Sequence, residues 1–128
     1  MLEHVRDDLA GLANIYSVLA PGGRAIILVP EGMAVYGTLD EVLGHYRRYS
    51  AAELRSKMEQ AGFRVERILQ FNRAARPAWF VNGRLLRRRT FSRFQIALYD
   101  RLVWLWRRID AVLPWAPVSL IAIGVRDN

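Results

Sequence analysis

The chain contains no cysteine among its 128 residues. That excludes disulfides, Cys-based zinc sites and thiol catalysis, and it is compatible with a cytoplasmic protein. Lysine is almost absent: Lys57 is the only one, so nearly every cation is arginine. Arginine suits bidentate contacts to phosphate or carboxylate and stacks on aromatic rings. A codon preference for arginine would leave the same bias. No secretory leader is expected, because Glu3, Arg6, Asp7 and Asp8 interrupt any apolar stretch at the N-terminus. The longest uncharged run near the end, Ala111 to Val125, is too short and too proline-rich for a membrane span. No internal repeat or low-complexity segment is evident.

The most informative segment is Leu19-Ala20-Pro21-Gly22-Gly23-Arg24, running into Ala25-Ile26-Ile27-Leu28-Val29-Pro30. Upstream, Leu9, Leu12, Ala13, Tyr16 and Leu19 recur at helical spacing. Asp7 and Asp8 sit where a helix N-terminus favours negative charge. Pro21 cannot continue the helix, and two glycines permit a sharp reversal. Ile26 to Val29 then lack polar alternation, which predicts a strand covered on both faces.

The same reading predicts helix over 7–19 and strand over 24–30. Residues 31–49 read as an irregular connection. Ser50 and Glu53 form a capping box before a helix that stops at Gly62. A strand follows from Phe63 to about Phe71. Pro77 opens a short helix through about Leu86. One longer helix covers 93–113, with Phe94, Leu98, Leu102, Leu105, Trp106, Ile109 and Leu113 on its apolar side. Val118 to Val125 is the last strand. One domain is expected at this length.

Leu2-Glu3-His4-Val5, Asp7-Asp8-Leu9 and Val18-Leu19-Ala20-Pro21-Gly22-Gly23 together resemble class I S-adenosylmethionine-dependent methyltransferases. Gly44-His45-Tyr46-Arg47-Arg48-Tyr49-Ser50, with Glu53-Leu54 and Ala61-Gly62-Phe63, is similar to that family's later half. Ala20 stands where the family often has lysine. The resemblance implies an α/β fold: the C-terminal half of a doubly wound, Rossmann-like sheet, with Leu-Glu-His ending the fourth strand and β-strand 24–30 as the fifth. It implies that the last two strands pair antiparallel, with a helical insertion between them. The chain then divides into a sheet and helix core over 1–72, a basic aromatic insertion over 73–115 and a last strand over 116–128. The family's Gly-rich cofactor loop and ribose-binding acid belong to its first half. Gly22-Gly23 precedes a strand rather than following one, so it does not serve. The expectation is a longer enzyme, with a Gly-rich loop encoded upstream of Met1.

What the resemblance implies for function is methyl transfer from S-adenosylmethionine to a small-molecule acceptor. It places Glu3 and His4 beside the cofactor or substrate. His4 or His45 would be the base for a hydroxyl acceptor, since the unperturbed imidazole pKa is about 6.5. Some quinone-type O-methyltransferases of this family hold a divalent metal with a similar Glu-His pair. The further acid they use is not in this chain, so no metal is expected. The bland reading is that Glu3 and His4 only cap the following helix.

His45, Tyr46, Arg47, Arg48 and Tyr49 lie on the loop before a helix N-terminus, where an anionic or aromatic acceptor would bind. The bland reading is a solvated loop. Asn72, after the next strand, is a further substrate candidate; a turn asparagine is its plainer explanation.

From Arg73 to Arg108 the chain carries ten arginines and one acid, Asp100, while the remainder holds nine basic and eleven acidic residues. The basic excess is therefore local. All four tryptophans, Trp79, Trp104, Trp106 and Trp115, fall in or beside it. Three readings compete: a substrate lid whose apolar side is core, a surface lying on anionic membrane or meeting a lipid-linked substrate, and a nucleic-acid surface. No nucleic-acid motif favours the third. On the second, the protein would be cytoplasmic and peripheral to a membrane. The alternative to an enzyme is a non-catalytic interaction module. The strand over 24–30 would then offer an unpaired edge for self-association.

Overall fold

Helix α1 (Asp8–Val18) begins where its sequence says it should. The Asp7 carboxylate accepts a hydrogen bond from the Ala10 amide at 2.9 Å, satisfying one free donor of the first turn. The helix stops at Leu19, whose backbone is extended. Gly22 then takes a φ of 76°, a left-handed angle that glycine adopts without a Cβ penalty. Its amide donates to the Arg126 carbonyl at 2.7 Å, tying the turn to the end of the last strand. The chain passes directly into β1 (Arg24–Pro30).

The computed structural model describes residues 1–127. It is an α/β arrangement with one three-stranded sheet and six helices among those residues. The sheet order is β1-β3-β2, with β2 at Arg64–Phe71 and β3 at Ser119–Val125. β3 is antiparallel to both neighbours, so β1 and β2 run in the same direction. The expected antiparallel pairing of the last two strands is present, and the last strand also separates β1 from β2. Pro30 and Phe71 both pair with Ser119, which brings the carboxyl ends of β1 and β2 to one rim.

The faces of the sheet differ. Ala25, Ile27 and Val29 are buried with Leu120 and Ala122 of β3, Leu12 of α1, and Leu54 and Met58 of α3 (Ala51–Gln60). On the opposite face the register sets Ile26 beside Ile123, and Leu28 and Leu69 beside Ile121. Ile26 is 72% exposed and Leu28 56%. This corrects the expected strand with two covered faces. The helices α1 and α3 share one face, and no doubly wound sheet is completed within residues 1–127. An apolar run specifies that cover is needed, not which segment supplies it.

The Ser50 hydroxyl accepts from the Glu53 amide at 3.1 Å, but the Glu53 carboxylate lies 3.5 Å from Lys57 instead of closing the box. The expected irregular connection over 31–49 contains a 3-10 turn at Met33–Val35 and a short helix, α2 (Thr38–Leu43). Between β2 and β3 come α4 (Arg76–Phe80), a π-type turn over Val81–Leu85, α5 (Arg93–Arg101) and α6 (Val103–Ile109). The single helix expected over 93–113 is thus broken at Leu102. No residue of α5 or α6 is buried, so their apolar positions are not core. Among the described residues no helix is long and apolar enough to cross a membrane.

Candidate functional site

The rim at the carboxyl end of β1 is built by a crossing of loops. The Tyr49 amide donates to the Pro30 carbonyl at 2.9 Å, and the Gly32 amide donates to the Tyr49 carbonyl at 3.0 Å. These bonds lay the segment 44–49 across the end of the strand. Beneath it sits Asp40 of α2, which is fully buried.

The Asp40 carboxylate accepts from Arg48 Nε at 2.8 Å, His45 Nδ1 at 2.9 Å, the Gly37 amide at 3.2 Å and Trp79 Nε1 at 3.3 Å. Four donors on one buried carboxylate compensate for the water it has lost. The side chain of Arg48 is equally buried and also donates to the Glu31 carbonyl at 2.8 Å. Its guanidinium lies over the Trp79 ring, 4.9 Å from the centroid. Burial pushes the Arg48 guanidinium down from its ordinary value, and Asp40 opposes that. Among the described residues its buried Nη2 has no hydrogen-bond partner.

A carboxylate oxygen can only accept, so His45 Nδ1 carries a proton. His4 is set the same way, with Nδ1 donating to the Gly44 carbonyl at 3.1 Å. The two rings meet edge to face with centroids 4.9 Å apart. Glu3 lies beside them, its Oε1 3.5 Å from His4 Nε2 and 2.8 Å from the Met1 amino group. Its Oε2 is buried without a partner. Glu3, His4 and His45 each bring one ligand atom within 4.8 Å of the others. Two imidazoles and a carboxylate are a donor set that divalent transition metals accept.

Leu2–His4 form a 3-10 turn rather than the expected strand end, with the Val5 amide donating to the Leu2 carbonyl at 3.0 Å. Among the described residues no strand pairs with β1 along this side, and only the Tyr49 bridge closes its end. An open cleft of about 630 Å³ follows that edge, and Glu3, His45, Arg48, Asn72 and Trp79 line its end.

The structure therefore brings Glu3, His4 and His45 together, with Asn72 on the same cleft. It turns the rest of the segment elsewhere. Tyr46 is exposed, and its hydroxyl accepts from Arg6 Nε at 3.3 Å. Arg47 pairs with Asp8 at 2.7 Å. Tyr49 is wholly buried, and its hydroxyl donates to Asp8 at 2.8 Å. Burial and the Asp8 carboxylate push the Tyr49 phenol well above its ordinary range, so it holds its proton. Arg47 and Tyr49 thus anchor the loop instead of lining the cleft. Asn72 has a φ of 66° and accepts from the Tyr99 hydroxyl at 2.5 Å. Asp40 was not singled out by sequence reasoning, and Trp79 was named only as part of the basic aromatic region. The adjacent pair Arg47-Arg48 held the one available signal: neighbours on a strand-like loop point opposite ways, so one of them turns inward and needs an acid.

No protein-family model matches this chain, and no curated protein matches it significantly.

Proposed function

We propose that this chain forms the acceptor side of an S-adenosylmethionine-dependent methyltransferase acting on a small molecule, as part of a longer enzyme. The observation that carries this reading is a coincidence in space. The unpaired edge of β1, the apolar cleft along it and His45, with His4 packed against its ring, meet beyond the carboxyl end of β1. Ligands of open α/β sheets bind outside the carboxyl ends of strands. The ordered resemblance supports it, including a Pro-Gly-Gly turn that joins a helix to the strand it feeds.

S-adenosylmethionine, when bound, supplies the sulfonium methyl group. Transfer is in-line displacement, so the protein's part is to hold two reactants aligned. For a hydroxyl acceptor, His45 Nε2 takes the proton. Asp40 holds Nδ1 protonated and stabilises the imidazolium that forms. Glu3 and His4 flank the cofactor, and Asn72 with the apolar cleft wall receives the acceptor. The Gly-rich loop implied by the resemblance lies outside these residues. A second reading, an interaction module, is favoured by the same open edge, because an unpaired strand invites another chain.

Calorimetric titration with S-adenosylmethionine and S-adenosylhomocysteine separates these readings. The 128-residue chain is expected to bind neither. The chain extended by the residues encoded upstream of Met1 is expected to bind both. Absence of binding by the extended protein overturns the proposal, and so does tight binding by the short chain.

A further inference from the structure

Beyond the cleft, the segment from Arg84 to Val112 has a surface that neither the core nor the site explains. It carries eight arginines, Arg84, Arg87, Arg88, Arg89, Arg93, Arg101, Arg107 and Arg108, against Asp100 and Asp110. Among the described residues, the arginines that pair with carboxylates are Arg24, Arg47, Arg48, Arg55, Arg64 and Arg76, all outside it. Asp110 is itself engaged by the Ala74 amide at 2.9 Å. The positive charge of the segment is therefore uncompensated.

Apolar side chains are interleaved with that charge. Leu85, Leu86, Phe94, Ile96, Trp104 and Val112 are each more than half exposed. Arg108 lies over the Trp104 ring, 5.6 Å from its centroid, so charge and aromatic surface share one patch. Single exposed apolar residues are ordinary, but here six of them fall within one arginine-rich segment.

The combination selects the partner. Nucleic acid would take the arginines but offers nothing to leucine, isoleucine and valine. A bilayer with anionic headgroups takes both, phosphates for the guanidiniums and the acyl boundary for the side chains. Among the described residues no helix is long and apolar enough to cross a membrane, so the contact proposed is in the plane of the surface. We propose that Arg84 to Val112 docks this protein on an anionic phospholipid membrane. Tyr99 and Gln95 of α5 bond to Asn72 and Asn82, so the docking surface is joined to the rim of the cleft. The inference stands on this surface alone and does not require the methyl-transfer reading.

The test is co-sedimentation of the 128-residue chain with phosphatidylcholine vesicles, with and without phosphatidylglycerol. Binding is expected only with phosphatidylglycerol, and it falls as salt rises. Changing Arg87, Arg88 and Arg89 together to glutamine is expected to weaken binding about a hundredfold, and the triple lysine variant to restore it. Phe94→Asp with Trp104→Ser is expected to abolish binding while the circular dichroism spectrum and melting curve stay those of the parent. Equal binding to neutral vesicles, or none to anionic ones, overturns the proposal. Salt-sensitive binding to single-stranded RNA that survives the Phe94 and Trp104 changes, without vesicle binding, assigns the surface to nucleic acid instead.

Discussion

Replacing Asp8 with asparagine tests how the site loop is held. The Asp8 carboxylate accepts from Lys57 at 2.6 Å, Arg47 at 2.7 Å and the Tyr49 hydroxyl at 2.8 Å. It thereby joins α1, the segment 44–49 and α3. Burial raises its pKa, but bonds from Lys57, Arg47 and Tyr49 outweigh that and lower it from 3.8 to about 2. At about 1.36 kcal/mol per unit, the ionised form contributes ~2.4 kcal/mol to stability at pH 7. The sign follows from the depressed pKa. The contribution is complete above the unfolded value and is lost as pH falls from 3.8 toward 2. Urea unfolding of the parent and of Asp8→Asn, at pH 7, 5 and 3, isolates this group from other carboxylates. The difference between the two proteins is expected to be ~2.4 kcal/mol at pH 7 and 5, and ~1.3 kcal/mol at pH 3. A difference that stays constant down to pH 3 would refute the reasoning. So would one below ~1 kcal/mol at pH 7.

Asp40→Ala removes the partner of a fully buried guanidinium, Arg48, and is expected to cost about 3–5 kcal/mol in denaturant unfolding. It also releases the His45 tautomer, which nitrogen NMR shifts of the ring would report; an unmoved tautomer would show that Asp40 does not set it. The two faces of β1 are tested by a pair of changes. Ile27→Ala is expected to cost about 2–5 kcal/mol, whereas Ile26→Lys, on the open face, stays within about 0.5 kcal/mol of the parent. Equal losses would mean that both faces are covered.

Much of the local structure was legible in the residues themselves. Asp7, Pro21 and Gly22 delimit α1 and the turn into β1, because caps and breakers act within a few residues of where they stand. Ser50 starts α3 for the same reason. Ser92 and Gln95 likewise cap α5 reciprocally, a signal present in the sequence that the single long helix over 93–113 obscured. Helix α2 is capped by Asp40 at its start and by left-handed Gly44 at its end, but its six residues are too few for an apolar period to emerge.

Tertiary structure decided what depends on distance through space. Asp40, His45 and Arg48 lie five and eight residues apart in sequence, and only the crossing of loops beyond Pro30 makes them one hydrogen-bonded group with Trp79. Adjacent residues of that loop have opposite fates: Tyr46 faces water, Arg47 and Tyr49 anchor to Asp8, and Arg48 is buried. Side-chain chemistry alone does not separate them, because each could serve either role. By itself the sequence determined where elements begin and end, through local backbone sterics and capping. Which face of β1 is covered, which strand lies between β1 and β2, and which carboxylate orients His45 were decided by packing, since those energies arise only when distant segments exclude water from one another.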